Sequence, residues 1–215
     1  MSIFLTTGVN AASVSAEKAR EWSEEKGKAL ISALANGDVV EKYQVLDDLF
    51  LNYVDLDHVA QFVMGKYWRM MTPKQREFYV PLFKRYSLAL YKSYPLQFDE
   101  DTIEYEIVKA LEEKDYTLVL ANITLKALEN SKPDSPENAS ILVEFRLHEK
   151  NGNIMLTDLK IAETSFILTY RNRFADMINS NDGDITWFLE DLETVTVSTE
   201  RNNQIIVENA VPEDE

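Results

Sequence analysis

The sequence predicts an α+β fold, with N-terminal helices packed on a curled antiparallel sheet and a closing C-terminal helix around a cone-shaped interior with an apolar pocket. Three observations predict it. Apolar residues recur at helical spacing up to Pro95, alternate at period two after it, and return to helical spacing near Ser165.

Residues 16–35 set Ala19, Trp22, Ala29, Leu30, Ala33 and Leu34 on one helical face, and Asn36-Gly37 supplies a stop. A second helix is expected over 40–52, with Tyr43, Leu46, Leu49 and Phe50 on one side. Asp55 or Asp57 then caps a third helix that ends at Gly65. Thr72-Pro73-Lys74-Gln75 is a strong start signal. Threonine caps, proline takes the first helical position, and Gln75 sits where a capping box needs it. The long helix that follows toward Tyr94 is expected to kink at Pro81, which has no amide hydrogen.

The alternating sets Ile103/Tyr105/Ile107, Val119/Ala121/Ile123/Leu125 and Ile141/Val143/Phe145/Leu147 read as strands. Asn151-Gly152 predicts a type I′ hairpin that returns residues 154–161 antiparallel to the strand before it. Residues 131–136, with two prolines among polar residues, read as an exposed loop. Residues 165–178 regain helical period, and a short helix is expected over 185–192. The folded body would thus span 13–193. Residues 194–215 read as a weak strand passing into an acidic disordered tail, since from 190 to 215 eight acidic side chains face Arg201 alone.

The composition narrows the function. A chain of 215 residues with 45% hydrophobic content can bury one good core. No stretch approaches the run of about 18 apolar residues that a spanning helix needs, so no stable membrane insertion is expected. A formal charge of -15 opposes nucleic-acid binding. The absence of cysteine removes disulfides, thiolate metal sites and cysteine nucleophiles. Residues 1–12 end in Val9-Asn10-Ala11, with small residues placed as at a signal-peptidase site, and read as the remnant of a signal peptide.

Two blocks carry a family resemblance. The first runs from Phe50 through Tyr53, Asp55, Leu56, Ala60, Phe62, Gly65, Tyr67, Trp68 and Arg69 to Thr72, Pro73, Gln75, Phe78, Leu82 and Phe83. The second is Asp158-Leu159-Lys160-Ile161-Ala162-Glu163-Thr164-Ser165 followed by Thr169-Tyr170-Arg171 and Phe174. Together they resemble the MlaC family, the toluene-tolerance and ABC-transporter auxiliary proteins. Thr164 departs from the pattern, standing where the family usually has Gly, and Pro81 is a second departure.

The resemblance implies a periplasmic phospholipid carrier rather than an enzyme. It would hold acyl chains in a hydrophobic pocket, with no cofactor other than the lipid as cargo. Its partners would be an inner-membrane ABC transporter complex with its lipid-binding subunit and an outer-membrane lipoprotein complex. Such a carrier would maintain outer-membrane lipid asymmetry.

Candidate pocket residues are Phe62, Val63, Tyr67, Trp68, Phe78, Leu82, Phe83, Tyr86 and Leu90 from the helices. From the sheet and the helix after it come Val119, Ile123, Val143, Phe145, Leu159, Phe166 and Tyr170. Each is also a plausible packing residue, because an aromatic at helical spacing is usually core before it is a ligand contact. Basic residues Lys66, Arg69, Lys74, Arg76, Lys84, Arg85 and Lys92 oppose only Glu77, and Lys84 and Arg85, extended by Arg171 and Arg173, form a candidate docking face for acidic partners or anionic head groups. Asp55, Asp57 and His58 read as helix-capping rather than catalytic, and His148 as exposed. The alternatives are a small acid–base enzyme with a similar pocket and a non-lipid interaction module. The enzyme would need an ionisable group at the pocket floor.

Overall fold

The computed structural model describes residues 13–35, 38–93, 102–126 and 138–210. Five helices come first: α1 (Ala16–Ala35), α2 (Val39–Tyr53), α3 (Leu56–Met64), α4 (Lys66–Met70) and α5 (Pro73–Ser93). Strands β1 (Ile103–Glu112), β2 (Thr117–Lys126), β3 (Asn138–Lys150), β4 (Asn153–Ile161) and β5 (Thr164–Ser165) follow, and α6 (Phe166–Ser180) and α7 (Ile185–Ala210) close the chain. The sheet is antiparallel throughout, in the order β1-β2-β3-β4-β5. The expected α+β architecture is the one observed. The Asn36-Gly37 stop, Tyr94, the signal-peptide reading of 1–12, the loop at 131–136 and the last residues, 211–215, lie outside the described residues.

Local chemistry explains most element ends. Thr72 and Gln75 form a reciprocal capping box: Thr72 N–H donates to Gln75 Oε1 at 2.9 Å and Gln75 N–H to Thr72 Oγ1 at 3.2 Å. Asn151 (φ 54) and Gly152 (φ 80) both take the left-handed conformation that a type I′ turn requires. Ser165 caps α6 by accepting from Leu168 N–H, and its own hydroxyl donates to Asp158 Oδ2 at 2.9 Å. α5 passes through Pro81 as one helix; that residue lies on the exposed face, where a missing amide hydrogen costs least.

Two expectations need correcting. The residue from the second block that would suit glycine is not Thr164, which is extended in β5; the left-handed conformations fall on Ala162 (φ 48) and Glu163 (φ 67). And residues 194–210 are neither strand nor disordered tail, because α7 continues as one helix to Ala210. The run from Val195 to Thr199 is rich in β-branched residues and has low intrinsic helix propensity. Its threonines turn their hydroxyls back on the helix, Thr194 to Glu190 O, Thr196 to Leu192 O and Thr199 to Val195 O. Packing of α7 along α5 does the rest.

The interior divides into two apolar clusters. The helical one is aromatic, with Tyr79, Phe83, Tyr86, Tyr170, Phe174 and Phe188 in mutual edge or tilted contact. Tyr79 is fully buried and its hydroxyl donates to Ala60 O at 3.1 Å; burial pushes its pKa up. The second cluster joins Val14 and Ala19, at the start of α1, to Ile107, Val119, Ala121 and Leu147 of the sheet.

Candidate functional site

Strand pairing places Tyr105, Ile123, Ile141 and Ile161 on the same sheet face as Val119, Ala121, Val143, Phe145 and Leu147. Burial along that face is graded. At the end near the β1–β2 turn, Thr117, Val119, Ala121 and Leu147 are fully buried. At the opposite end Ile103, Ile123, Leu125 and Ile141 are only half-buried, although they point inward, and on β4 Leu159 and Ile161, level with Phe145 and Val143, are half-buried too. The apolar wall is closed at one end and open at the other.

Helix α1 borders the open end. Helix α1 runs antiparallel to β1: Ala16 N–H reaches Glu112 Oε1, Arg20 Nη1 reaches Ile107 O at 2.9 Å, and Tyr105 hydroxyl reaches Ser23 O at 2.8 Å. Its last turns, with Leu30 and Leu34, therefore extend toward the open end. The Tyr105 ring lies directly on Gly27, where a Cβ would come within 2.4 Å of it. Among the helices, Phe50, Tyr91 and Phe166 bring α2, α5 and α6 together. Their ring centroids are 4.1 Å (Phe50–Tyr91) and 6.0 Å (Tyr91–Phe166) apart. Chemically the arrangement offers a broad apolar surface, and no group of side chains able to hold a metal occurs among the described residues.

The structure separates the sequence candidates. Val63, Tyr67, Leu82, Phe83, Tyr86 and Tyr170 sit in the closed helical cluster, with Trp68, Leu90 and Phe166 at its margin. Val119 and Phe145 belong to the sheet cluster, Val143 is buried beside them, Ile123 stands at the open end, and Leu159 is half-buried on β4 across from Phe145. Phe62 and Phe78, at 42% and 45% exposure, lie on the outside rather than facing the interior. Sequence reasoning missed Phe50, Tyr91, Tyr105, Ile141 and Ile161 as a group. Their alternation was readable, but not which end of the sheet stays open.

Part of the basic face is neutralised by acidic partners. Lys84 pairs with Asp57 (2.9 Å), Lys92 with Asp47 (2.6 Å), and Arg85 makes a two-bond pair with Glu200 (2.9 and 2.6 Å). Arg76 stacks on Trp68 and Arg173 lies over Tyr86. Arg171 lies 5.4 Å over Phe62 and presses on Gly65, a residue at φ 51 and ψ -120 where any Cβ would sit 2.6 Å from the guanidinium.

A polar junction ties the helices to the sheet. Asp55, 3% exposed, caps α3 through His58 N–H at 3.2 Å. It also meets Lys150 Nζ at 2.6 Å and His148 Nε2 at 3.0 Å, and its own N–H donates to Leu156 O. The His148 contact has ion-pair distance but poor hydrogen-bond alignment. Burial alone would raise the Asp55 pKa; His148, Lys150 and the His58 amide outweigh it and hold the carboxyl well below its ordinary range. Burial, joined by the charges of His148 and Lys150 and opposed by Asp55, lowers the His58 pKa. His148 is thus buried, not exposed as expected. Strand alternation turns it away from Leu147 and the apolar interior.

Comparison with known proteins places these features. In structure the chain is similar to the phospholipid-binding protein of Ralstonia solanacearum, solved in complex with a phospholipid. The TM-score is 0.64 at 17% identity, over 85% of this chain and 98% of that one. In sequence, residues 24–194 match the family described as MlaC protein, which takes in α2 to α6, the whole sheet and both motif blocks. The chain belongs to the MlaC protein family.

Proposed function

We propose that the protein is a phospholipid carrier. Its acyl chains would lie between the inner sheet face and the Phe50–Tyr91–Phe166 brace. The observation that carries this reading is the burial gradient, because apolar side chains half-exposed inside a two-layer domain leave a surface that an acyl chain would cover. Each methylene buried there contributes about 0.8 kcal/mol, so two chains suffice for tight holding without a polar anchor. Family membership supports the reading, as does the phospholipid in the Ralstonia solanacearum structure.

Of the sequence candidates, Leu90, Ile123, Phe145, Leu159 and Phe166 are the ones that fit as lining, whereas Val119 and Val143 are fully buried behind them. The finer setting, also part of this proposal, is a periplasmic shuttle between an outer-membrane lipoprotein complex and an inner-membrane ABC transporter. Docking would rest on Arg171 and Arg173 more than on Lys84 and Arg85, whose charges are already paired. No helix among the described residues is long and apolar enough to cross a membrane. The test is solvent extraction and mass spectrometry of natively purified protein. Diacyl phospholipid near one equivalent is expected. Protein that carries none, and takes none up from vesicles, would refute the proposal.

A further inference from the structure

We infer that the part of α7 beyond residue 194, outside the family match, positions the last turn of α5 and thereby sets how tightly the apolar site retains lipid, with Asn203 and Tyr43 as the positioning residues. The inference rests on the carrier reading above.

The last carbonyls of a helix have no partner within it and must find one elsewhere. At the end of α5 side chains supply donors for Leu90 O and Lys92 O and give Ala89 O a second donor. Asn203 Nδ2 donates to Ala89 O at 2.8 Å, Tyr43 hydroxyl donates to Lys92 O at 3.0 Å, and Ser93 hydroxyl donates to Leu90 O at 2.7 Å. Asn203 is 5% and Tyr43 7% exposed, and their polar atoms stand 3.5 Å apart, so the two act as one brace reaching from α7 and α2. The Arg85–Glu200 and Lys92–Asp47 pairs bind the same three helices at the rim. These groups border an open cleft of about 470 Å³ between α2, α5 and α7, whereas Tyr91, in the same turn of α5, meets Phe50 and Phe166 instead. The brace thus holds the turn without touching the ligand surface. Its loss frees the Lys92 carbonyl, takes the second donor from Ala89 O and lets the Tyr91 ring shift.

The experiment uses the full chain loaded with phosphatidylglycerol bearing a fluorescent acyl chain, chased with unlabelled vesicles. Amide hydrogen exchange at residues 90–93 is followed in parallel. Asn203→Ala and Tyr43→Phe are expected to speed lipid release about tenfold, the effect of one lost buried hydrogen bond, and to raise exchange in that turn. Ile178→Val, in the helical core, is the control of lowered stability. Unchanged release in both brace variants overturns the inference, and so does equal acceleration by Ile178→Val at matched stability. If the unsubstituted protein takes up no labelled lipid, the carrier reading fails by itself. Exchange at 90–93 then decides the brace, and protection unaltered in Asn203→Ala would overturn it.

Discussion

Asp55 Oδ2 and His148 Nε2 stand 3.0 Å apart, one at the start of α3 and the other near the end of β3, and both are buried. A buried carboxylate that loses its partners is costly, and so is a partner left without its carboxylate. Asp55→Asn keeps a good helix cap but removes the charge, so it isolates the electrostatic part. At neutral pH it is expected to cost about 3–5 kcal/mol of stability. Because the folded pKa is depressed, the ionised carboxyl stabilises fully above its unfolded value and loses that contribution as pH falls toward the folded one. Urea midpoints should therefore differ most above about pH 5 and converge below about pH 4. A gap that stays constant into strong acid would show that the charge is not what Asp55 contributes.

Gly65→Ala should destabilise by about 1–3 kcal/mol, since its backbone is disfavoured for any L side chain and the new methyl meets Arg171. Combining it with Arg171→Ala removes the second part only. A double-mutant cycle by thermal unfolding is expected to show coupling between the two sites. Strict additivity would place Arg171 away from Gly65.

Glu163 occupies a left-handed position at an exposed turn, a conformation that costs a non-glycine residue roughly 1–2 kcal/mol. Glu163→Gly is expected to raise the melting temperature, whereas Thr164→Gly, in extended backbone, should lower it. The reverse order would return the departure to Thr164.

Filling the open end should separate binding from folding. Ile123→Trp or Ile141→Trp, at half-buried positions, is expected to cut lipid content severalfold with little change in melting temperature. Phe83→Ala, in the closed helical cluster, should instead cost about 3–5 kcal/mol. Equal lipid content in the tryptophan variants would move the ligand surface elsewhere.

These sites also show what can be read from sequence. The Thr72–Gln75 box and the Asn151-Gly152 turn were legible because their partners lie within a few residues. The residues that identify the family mostly build the scaffold. Gly65 makes room for Arg171, Asp158 holds Ser165, Tyr67 donates to Asn179, and none of these faces the open end of the sheet. That is why a strong family signal led to a mixed list of pocket residues, with Phe62 and Phe78 on the outside. The fate of residues 194–210 was hidden for the opposite reason: their local preference is poor for a helix, and Asn203 and Glu200 find partners on α5, far along the chain.

The junction at Asp55 has a further consequence for the protein's proton inventory. The chain has two histidines and no cysteine, and both imidazoles meet there, their ring centroids 5.8 Å apart. Carboxylates ordinarily titrate near pH 4, and lysines and tyrosines near 10. Histidine is the side chain whose ordinary pKa lies between those two ranges, and in this chain both histidines stand where α3 meets the β3–β4 hairpin. Burial in that junction disfavours a charge on His58, so proton uptake by its ring, followed by potentiometric titration, would report on how closely α3 packs against the hairpin.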